Sequence, residues 1–342
     1  MKKKIFILII KIVIGIALLC YVIYKMSPGW EKSKICILEL VQNNQGLLLL
    51  GILCFGGVLI AGVFRWQLLL RAHKVNISTI DATKLLFIGH FFSQFMPGGI
   101  AGGDIVKSFY ITNHTDDRKH EAVTTIFIDR LVGILGLFGV LLIAILANIG
   151  SIGYFSYVII VLCLLGASLI LTFLFFSKRI INKLPGIEHL KKKIPYKEFV
   201  TRIYNAFNYY KDHKRVMLLT FLLSVFIHFL LTVMTYCIAL GLGLQIAFKK
   251  YLVLVSLVNF VGSIPISPLG TMGTLDGAYI FFFESESSKA SGIPGALALM
   301  VRMIYALWGL AGLVIWLFGK SGLKIKKSER ITDNFEKQNI KV

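Results

Sequence analysis

Long apolar runs, separated by short polar stretches, make up most of this chain. Runs of a length that can cross a bilayer lie at about 5–24, 46–64, 122–148, 152–177, 215–242 and 293–319. About 20 consecutive apolar residues are enough for an α-helix to span the hydrocarbon of a membrane. The pattern therefore predicts six transmembrane helices. We expect the first to be retained, because no small-residue cleavage site of a signal peptide follows it.

Two further apolar regions, at about 80–112 and 249–284, are interrupted by residues that break helices. The interruptions are the runs Pro97–Asp104 and Pro265–Asp276. A helix cannot continue through so many glycines and prolines, and broken backbone within hydrocarbon must be buried in protein or line a hydrated cavity. We predict that each region forms two half-helices that meet at a tip.

The distribution of basic residues predicts how the chain is oriented. Suppose that the N-terminus is cytoplasmic and that both interrupted regions leave the membrane on the side they entered. Of the 37 lysines and arginines, 28 then lie in cytoplasmic segments, 6 in external segments and 3 within helices. This bias agrees with the positive-inside rule. An alternative in which both interrupted regions cross fully changes the count little and stays open.

The two halves of the chain carry the same unit in opposite orientations. Asp104 precedes Arg130 by 26 residues, and Asp276 precedes Arg302 by 26 residues. Inverted repeats with paired broken helices are a common transporter design, with the substrate at the repeat interface. The predicted fold is all-α, a polytopic membrane helical bundle of six full spans and two re-entrant helical hairpins arranged as an inverted repeat.

This prediction divides the chain into a membrane domain, about 1–320, and a mobile cytoplasmic tail, 321–342. Within the membrane domain, the first repeat covers about 1–148 and the second about 152–320. A basic cytoplasmic loop at 178–215 carries Phe199, Ile203, Phe207 and Tyr210 at helical spacing, which is typical of an amphipathic helix on a membrane surface. Both termini are predicted to be cytoplasmic, in a multi-pass protein of the cell (inner) membrane.

Charges within the apolar runs define a candidate substrate site. An arginine at the centre of a span costs about 2.5–3.5 kcal/mol on insertion scales, so it needs a partner. The nearby acids either clamp the arginines structurally or orient them towards a phosphate. Free amides and hydroxyls at the tips could add a cradle for an anion. The candidate substrate-binding residues are Arg130, Arg302, Asp104, Asp276, Asp129, Gly98, Gly99, Gly102, Gly103, Gly270, Thr271, Gly273, Thr274, Gln94 and His90.

Other chemistry is not indicated. The sequence has no motif of a hydrolase, a P-loop enzyme or a metalloprotease, and its five cysteines are scattered. We expect no metal and no cofactor. The net charge of +20 lies on the predicted cytoplasmic face, where it meets anionic lipid rather than nucleic acid. His228 is predicted to join two helices by a hydrogen bond.

Several of these residues resemble a known family. The runs Gln94–Gly99 and Gly102–Asp104, with Lys107, Asp129–Leu131 and Pro265–Gly277, resemble the membrane domain of lysylphosphatidylglycerol synthases and its stand-alone relatives. The resemblance extends from about 5 to 320. The family's second motif usually has Glu where this chain has Asp276, and Gly where it has Leu269. These departures bear on the geometry of the second tip and on the substrate.

The resemblance implies that this domain flips aminoacylated phosphatidylglycerol, which a separate soluble domain makes by transferring lysine from its transfer RNA. The chain ends about 22 residues past the last helix, so we expect the synthase reaction to be absent from this polypeptide. We predict a translocase for an anionic phospholipid, an aminoacyl-phospholipid or a polyprenyl-phosphate-linked sugar. The alternatives are a phosphatidylglycerol lysyltransferase and a non-catalytic membrane scaffold for a glycosyltransferase or another lipid-modifying enzyme.

Overall fold

All regular structure in the described part of the chain is α-helical. The computed structural model describes residues 30–96, 99–115, 118–147, 209–210, 213–263, 271, 273–284 and 292–318. Its helices are α1 (Trp30–Asn43), α2 (Gln45–Ala72), α3 (Thr79–Phe95), α4 (Ile100–His114), α5 (Lys119–Ala147), α6 (Lys214–Gly241), α7 (Phe248–Ser263), α8 (Thr274–Glu284) and α9 (Ile293–Phe318). The prediction of an all-helical membrane bundle is therefore confirmed.

Four of the described helices, α2, α5, α6 and α9, are long and apolar enough to cross a membrane. They correspond to four of the six predicted spans. The other two predicted spans, 5–24 and 152–177, lie outside the described residues, as does the tail at 321–342. Many large apolar side chains of the long helices point outwards, among them Leu53, Leu142 and Leu222. Such a surface suits contact with lipid tails.

Each interrupted region forms two shorter helices, as the glycine and proline runs predict. In the first region α3 ends at Phe95 and α4 begins at Ile100. Gly89 and Ser93 near the end of α3 lie against Gly103 near the start of α4, so the two helices run antiparallel. In the second region Gly262 of α7 lies against Leu275 of α8 in the corresponding way.

The helices pack on one another both within each half of the chain and between the halves. Within the first half, α2 packs on α3 and α5, and α4 packs on α3 and α5; within the second half, α6 packs on α7 and α9, and α8 packs on α7 and α9. Between the halves, α3 packs on α9, α7 packs on α5, and α2 packs extensively on α6. Among the described helices, each contact within the set α2 to α5 thus has a counterpart within the set α6 to α9.

Helix α1 was not anticipated, because the sequence pattern assigned about 25–45 to an external loop. Its buried positions, Ser33, Cys36 and Leu40, recur every three or four residues on one face. Such spacing places these three residues on the same side of the helix. The Ser33 hydroxyl donates to the carbonyl of Gly292 at 2.5 Å, which ties α1 to the start of α9.

An aromatic cluster holds the segment before α6 against the end of α2. The Tyr210 hydroxyl donates to the carbonyl of Leu69 at 3.1 Å, and the Tyr209 ring stacks on His73 at 4.4 Å. Burial lowers the pKa of His73 below its ordinary value, which favours the neutral imidazole. Of the predicted amphipathic helix, Phe199, Ile203 and Phe207 lie outside the described residues, and Tyr210 is buried against α2.

The close contact of α3 with α4 leads to a prediction about Gly103. A Cβ atom there would run into the Ser93 hydroxyl and the backbone carbonyl of Gly89, so the helices would have to separate. We expect Gly103→Ala to destabilise the purified protein by about 1–3 kcal/mol, the usual cost of overpacking. Gly277→Ala is the matched control: it is also the fourth residue of its helix, and its Cβ would meet nothing within 4 Å. Equal unfolding temperatures for the two variants would contradict this packing.

Candidate functional site

Two arginine–aspartate pairs occupy equivalent positions in the two halves. Arg130 of α5 donates from Nε and Nη2 to the two carboxylate oxygens of Asp104, at 2.7 and 2.6 Å. Arg302 of α9 donates from the same two atoms to Asp276, at 2.7 and 2.8 Å. Each acid at a tip is therefore paired with the arginine 26 residues later. Two parallel charge-assisted hydrogen bonds make this the strongest geometry for such a pair.

The arginines of both pairs lie deep within long helices rather than at their ends. At 1.5 Å per residue, Arg130 lies about 17 Å along a helix about 43 Å long, and Arg302 about 14 Å along one of about 39 Å. The Arg302 and Asp276 side chains are 15% and 13% exposed, whereas that of Arg130 is 39% exposed. The first pair is thus the more accessible to a ligand.

The structure contains a third Arg–Asp pair, which the sequence did not predict. It gives Asp129 a partner other than its neighbour Arg130. Asp129 accepts from Nε and Nη2 of Arg65, at 2.8 and 3.0 Å, rather than from its neighbour Arg130. The apolar pattern predicted a second span that ends at about residue 64, and this prediction left Arg65 in a cytoplasmic loop. Helix α2 continues to Ala72, and Arg65 is only 8% exposed within it. The apolar residues after Arg65 were the signal that could have extended the helix.

The Arg65 pair also joins the two halves of the chain. Arg65 Nη1 donates to the Ser224 hydroxyl of α6 at 2.9 Å, while its other nitrogens bind Asp129 of α5. One guanidinium therefore connects three helices through hydrogen bonds. Asp276 and Arg302 lie 172 residues after Asp104 and Arg130, respectively. The residues at the same offset from Arg65 and Asp129 are Cys237 and Val301, so this pair has no counterpart in the second half.

A polar bridge connects the two tips. The Thr271 hydroxyl lies 3.4 Å from Gln94 Oε1, and the Thr271 carbonyl accepts from Nη2 of Arg302 at 3.1 Å. Thr274 donates to the same carbonyl at 3.3 Å. Gln94 and Thr271 are 5% and 7% exposed, so the bridge is shielded from solvent. The Arg302–Asp276 pair is thereby linked to the first hairpin.

A cavity of about 240 Å³ lies between the halves, next to this bridge. Both halves contribute to its wall: polar and charged residues come mainly from α2 to α5, and a smaller set comes from α7, α9 and the second tip. The lining includes Arg65, His90, Ser93, Gln94, Lys107, Asp129 and Arg130 from the first half, and Asn259, Thr271 and Tyr305 from the second. Arg302 and Asp276 lie behind this wall rather than on it.

Aromatic rings also line the cavity. The rings of Phe55 and Tyr305 stack at 4.4 Å, and the His90 ring lies 5.4 Å from Phe55. His90 Nε2 is 3.1 Å from the carbonyl oxygen of Tyr305, so this nitrogen carries the proton. His90 thus lines the cavity and joins α3 to α9 at the same time.

Lys107 is buried in the cavity wall. The sequence indicated this residue only through the family resemblance and not as a candidate binding residue. It is 4% exposed, and its ammonium lies 4.1 Å from the centre of the Trp66 ring. Trp66 is fully buried and donates from Nε1 to the Thr125 hydroxyl at 3.2 Å. The ring is therefore fixed, and it presents its face to a cation.

The predicted cradle of free amides is smaller than expected. The amides of Gly102 and Gly103 donate to the carbonyl of Gly99, and the amide of Gly273 donates to Asp276 at 3.0 Å. These three groups are already bound and are not available to a ligand. Gly99 has a φ of 56°, a left-handed conformation that suits glycine where the chain turns into α4. Gly98 and Gly270 lie outside the described residues.

Other predicted features have simpler roles. His228 Nε2 lies 3.1 Å from the carbonyl of Gly133, which confirms the predicted hydrogen bond between helices. Within the described ranges, no group of three or more His, Cys, Asp or Glu side chains could hold a metal ion. Cys36, Cys54 and Cys237 are buried free thiols.

Comparison with known proteins gives the family. The sequence profile of the lysylphosphatidylglycerol synthase TM region matches residues 8–322. A UPF0104 membrane protein of Pyrococcus horikoshii is 24% identical over 125 residues, which are 36% of this chain and 36% of that protein. The match therefore covers about a third of the relative's length. Because the profile covers nearly the whole chain, this protein belongs to the family of the lysylphosphatidylglycerol synthase transmembrane region.

Proposed function

We propose that this protein moves an anionic, phosphate-bearing lipid across the membrane. The headgroup would enter the cavity between the two halves while the acyl chains stay in the bilayer. The observation that carries this proposal is the cavity itself: charged groups and broken backbone meet deep inside a bundle of apolar helices. Ionisable residues at such depth are costly, and they mark substrate pathways in membrane proteins.

The inverted repeat belongs to this proposal. Its support is the set of matched helix contacts, together with two Arg–Asp pairs of the same geometry and the same spacing. We propose six full spans and two re-entrant hairpins, α3–α4 and α7–α8, entering from opposite faces. Their antiparallel packing supports this arrangement over one in which the interrupted regions cross fully. We also propose an inner-membrane location and, from the distribution of basic residues, cytoplasmic termini.

The size of the cavity suits a headgroup rather than a whole lipid. Pockets for small molecules usually measure about 300–1,000 Å³, and this one measures about 240 Å³. We propose that the acyl tails remain outside the cavity, in the bilayer. Binding at the repeat interface is where transporters of this design hold their substrates.

The test is translocation in liposomes that contain the purified protein and a phospholipid with a fluorescent acyl chain. A membrane-impermeant quencher reports how fast inner-leaflet lipid reaches the outer leaflet. We expect faster movement of phosphatidylglycerol than in protein-free liposomes. Unchanged rates for every anionic lipid tried would contradict the proposal.

A companion assay addresses the lysyltransferase alternative. Purified protein with lysyl-tRNA and phosphatidylglycerol is expected to yield no lysyl lipid. Lysyl lipid above the level of a no-protein control would favour that enzyme instead. Association with a membrane glycosyltransferase or another lipid-modifying enzyme is compatible with translocation, and co-purification would detect it.

A further inference from the structure

Lys107 differs from every other cation of the cavity in lacking a carboxylate partner. Among the residues that the structure describes, no carboxylate oxygen lies within 4.0 Å of its ammonium, and no acceptor is within hydrogen-bonding distance. Asp129 and Asp104 are instead bound bidentately by Arg65 and Arg130. Among these described residues, the face of Trp66 is the group in direct contact with the Lys107 ammonium.

The position of Lys107 is fixed by its neighbours. A Cβ added to Gly89 of α3 would lie 2.6 and 2.7 Å from the Lys107 Cγ and Cδ atoms, so the stem lies directly on that glycine. The aliphatic part of the side chain lies on α3, and the ammonium lies over Trp66. The side chain therefore lines the cavity and cannot reach bulk water readily. A charge in this position needs a counter-ion from elsewhere.

The charges around the cavity can be summed. Three arginines, Arg65, Arg130 and Arg302, are each neutralised by one aspartate through two hydrogen bonds. His90 Nε2 donates to the carbonyl of Tyr305 and is counted as a neutral imidazole. Among the residues that the structure describes, Lys107 therefore leaves an excess of one positive charge, and it lies in the first half. The residue 172 positions later is Tyr279, which is uncharged and bonded to Thr235 at 3.1 Å.

We propose that Lys107 is the anion-binding residue of the cavity and that its ligand is a phosphodiester with one net negative charge. The proposal rests on the proposed function and names the substrate class for the same site. A monoanionic headgroup neutralises the excess charge completely. A phosphomonoester carries up to two negative charges and would leave the cavity negative, whereas an uncharged headgroup would leave Lys107 without a counter-ion.

This charge balance distinguishes phosphatidylglycerol from its lysylated form, a distinction that the family resemblance does not make. Phosphatidylglycerol has one negative phosphodiester and an uncharged glycerol. Its lysylated form adds two ammonium groups, so it carries one net positive charge and would be repelled by a cavity with an excess cation. Polyprenyl-phosphate-linked sugars joined by a single diester are monoanions and satisfy the same balance as phosphatidylglycerol.

The experiment measures binding by native mass spectrometry on the full chain in detergent micelles. The ligands are phosphatidylglycerol, lysylphosphatidylglycerol, phosphatidic acid and water-soluble glycerophosphoglycerol. We expect phosphatidylglycerol to bind at least tenfold more tightly than either the lysylated lipid or phosphatidic acid. Lys107→Met should lower phosphatidylglycerol affinity at least tenfold and, because it removes the excess cation, should raise the affinity for the lysylated lipid. Lys107→Arg should retain most of the affinity.

Two further variants keep the test decisive. Lys84→Met is the matched control, because Lys84 is partly exposed at the start of α3 and pairs with Asp81 at 3.6 Å. It should bind lipid as the wild type does. If Lys107→Met fails to fold, Gly89→Ala displaces the same side chain without removing its charge, and it should also weaken phosphatidylglycerol binding.

Each outcome has a distinct meaning. Unchanged phosphatidylglycerol binding in folded Lys107→Met, or tighter wild-type binding of the lysylated lipid, would overturn the proposal. If glycerophosphoglycerol binds as tightly as the lipid, the anion site is supported and a lipid as its natural source is overturned. Lys107-dependent binding without any translocation in liposomes would refute the proposed transport function and leave the anion site intact.

Discussion

Replacing either Arg130 or Arg302 with glutamine is expected to lower the rate of lipid translocation at least tenfold. Each arginine makes two charge-assisted hydrogen bonds to the acid at its tip, and Arg302 also holds the Thr271 carbonyl. Hydrogen bonds to charged groups contribute about 1.5–3 kcal/mol each, so the loss of a pair is enough to release a tip. The measurement is the liposome assay with fluorescent phosphatidylglycerol.

The control for this prediction is Arg71→Gln, which changes an exposed arginine in the last turn of α2. It should translocate lipid at the wild-type rate. Exchanging the partners, as Arg302→Asp with Asp276→Arg, distinguishes a structural clamp from direct contact with the headgroup. Because the cavity wall excludes Arg302, we expect the exchange to recover part of the activity. Normal rates in both glutamine variants would show that these pairs are not part of the transport machinery.

Replacing Asp129 with alanine is expected to produce the largest loss of stability, about 3–5 kcal/mol. The change leaves the Arg65 guanidinium buried without its carboxylate, and an unpaired buried charge is far more costly than the absence of both charges. Arg65 also binds Ser224, so its displacement would disturb the contacts among α2, α5 and α6. Chemical unfolding of the purified protein in detergent, followed by tryptophan fluorescence, measures the effect.

The double variant Asp129→Leu with Arg65→Met is the informative control. Replacing both charges by apolar groups of similar size is often neutral for a buried pair. We expect the double variant to be more stable than Asp129→Ala, although the Ser224 hydroxyl loses one partner. A double variant as unstable as the single one would contradict this account, because the loss could not then come from an unpaired Arg65 charge.

The sequence predicted the helices and the Arg–Asp pairs because each depends on local chemistry. Four long apolar runs became long helices, and two glycine–proline runs interrupted helices where predicted. The pairs Asp104–Arg130 and Asp276–Arg302 followed from an equal spacing and from the cost of lone charges in hydrocarbon. The arrangement of the halves around one cavity is supported by these same features.

What the sequence did not predict depends on contacts between distant segments. Arg65 and Asp129 are 64 positions apart, and nothing local indicates that they meet. Helix α1 has only 14 residues and mixes charged with apolar residues, so the pattern of long apolar runs did not predict it. The burial of Lys107 depends on Gly89 and Trp66, which belong to two other helices. Amides counted as free were already used within the first turn of α4, because a helix start satisfies some of its own donors.

The central claim is that a lipid headgroup occupies the cavity shared by the two halves. Its most direct measurement is photo-cross-linking with phosphatidylglycerol that carries a diazirine in the headgroup, followed by mass-spectrometric location of the labelled peptides. An otherwise identical lipid with the diazirine in an acyl chain is the control. The account predicts headgroup adducts in α3, α4 and α7, around Ser93, Lys107 and Asn259, and acyl-chain adducts on outward residues such as Leu53. Headgroup adducts confined to the outward surface would contradict it.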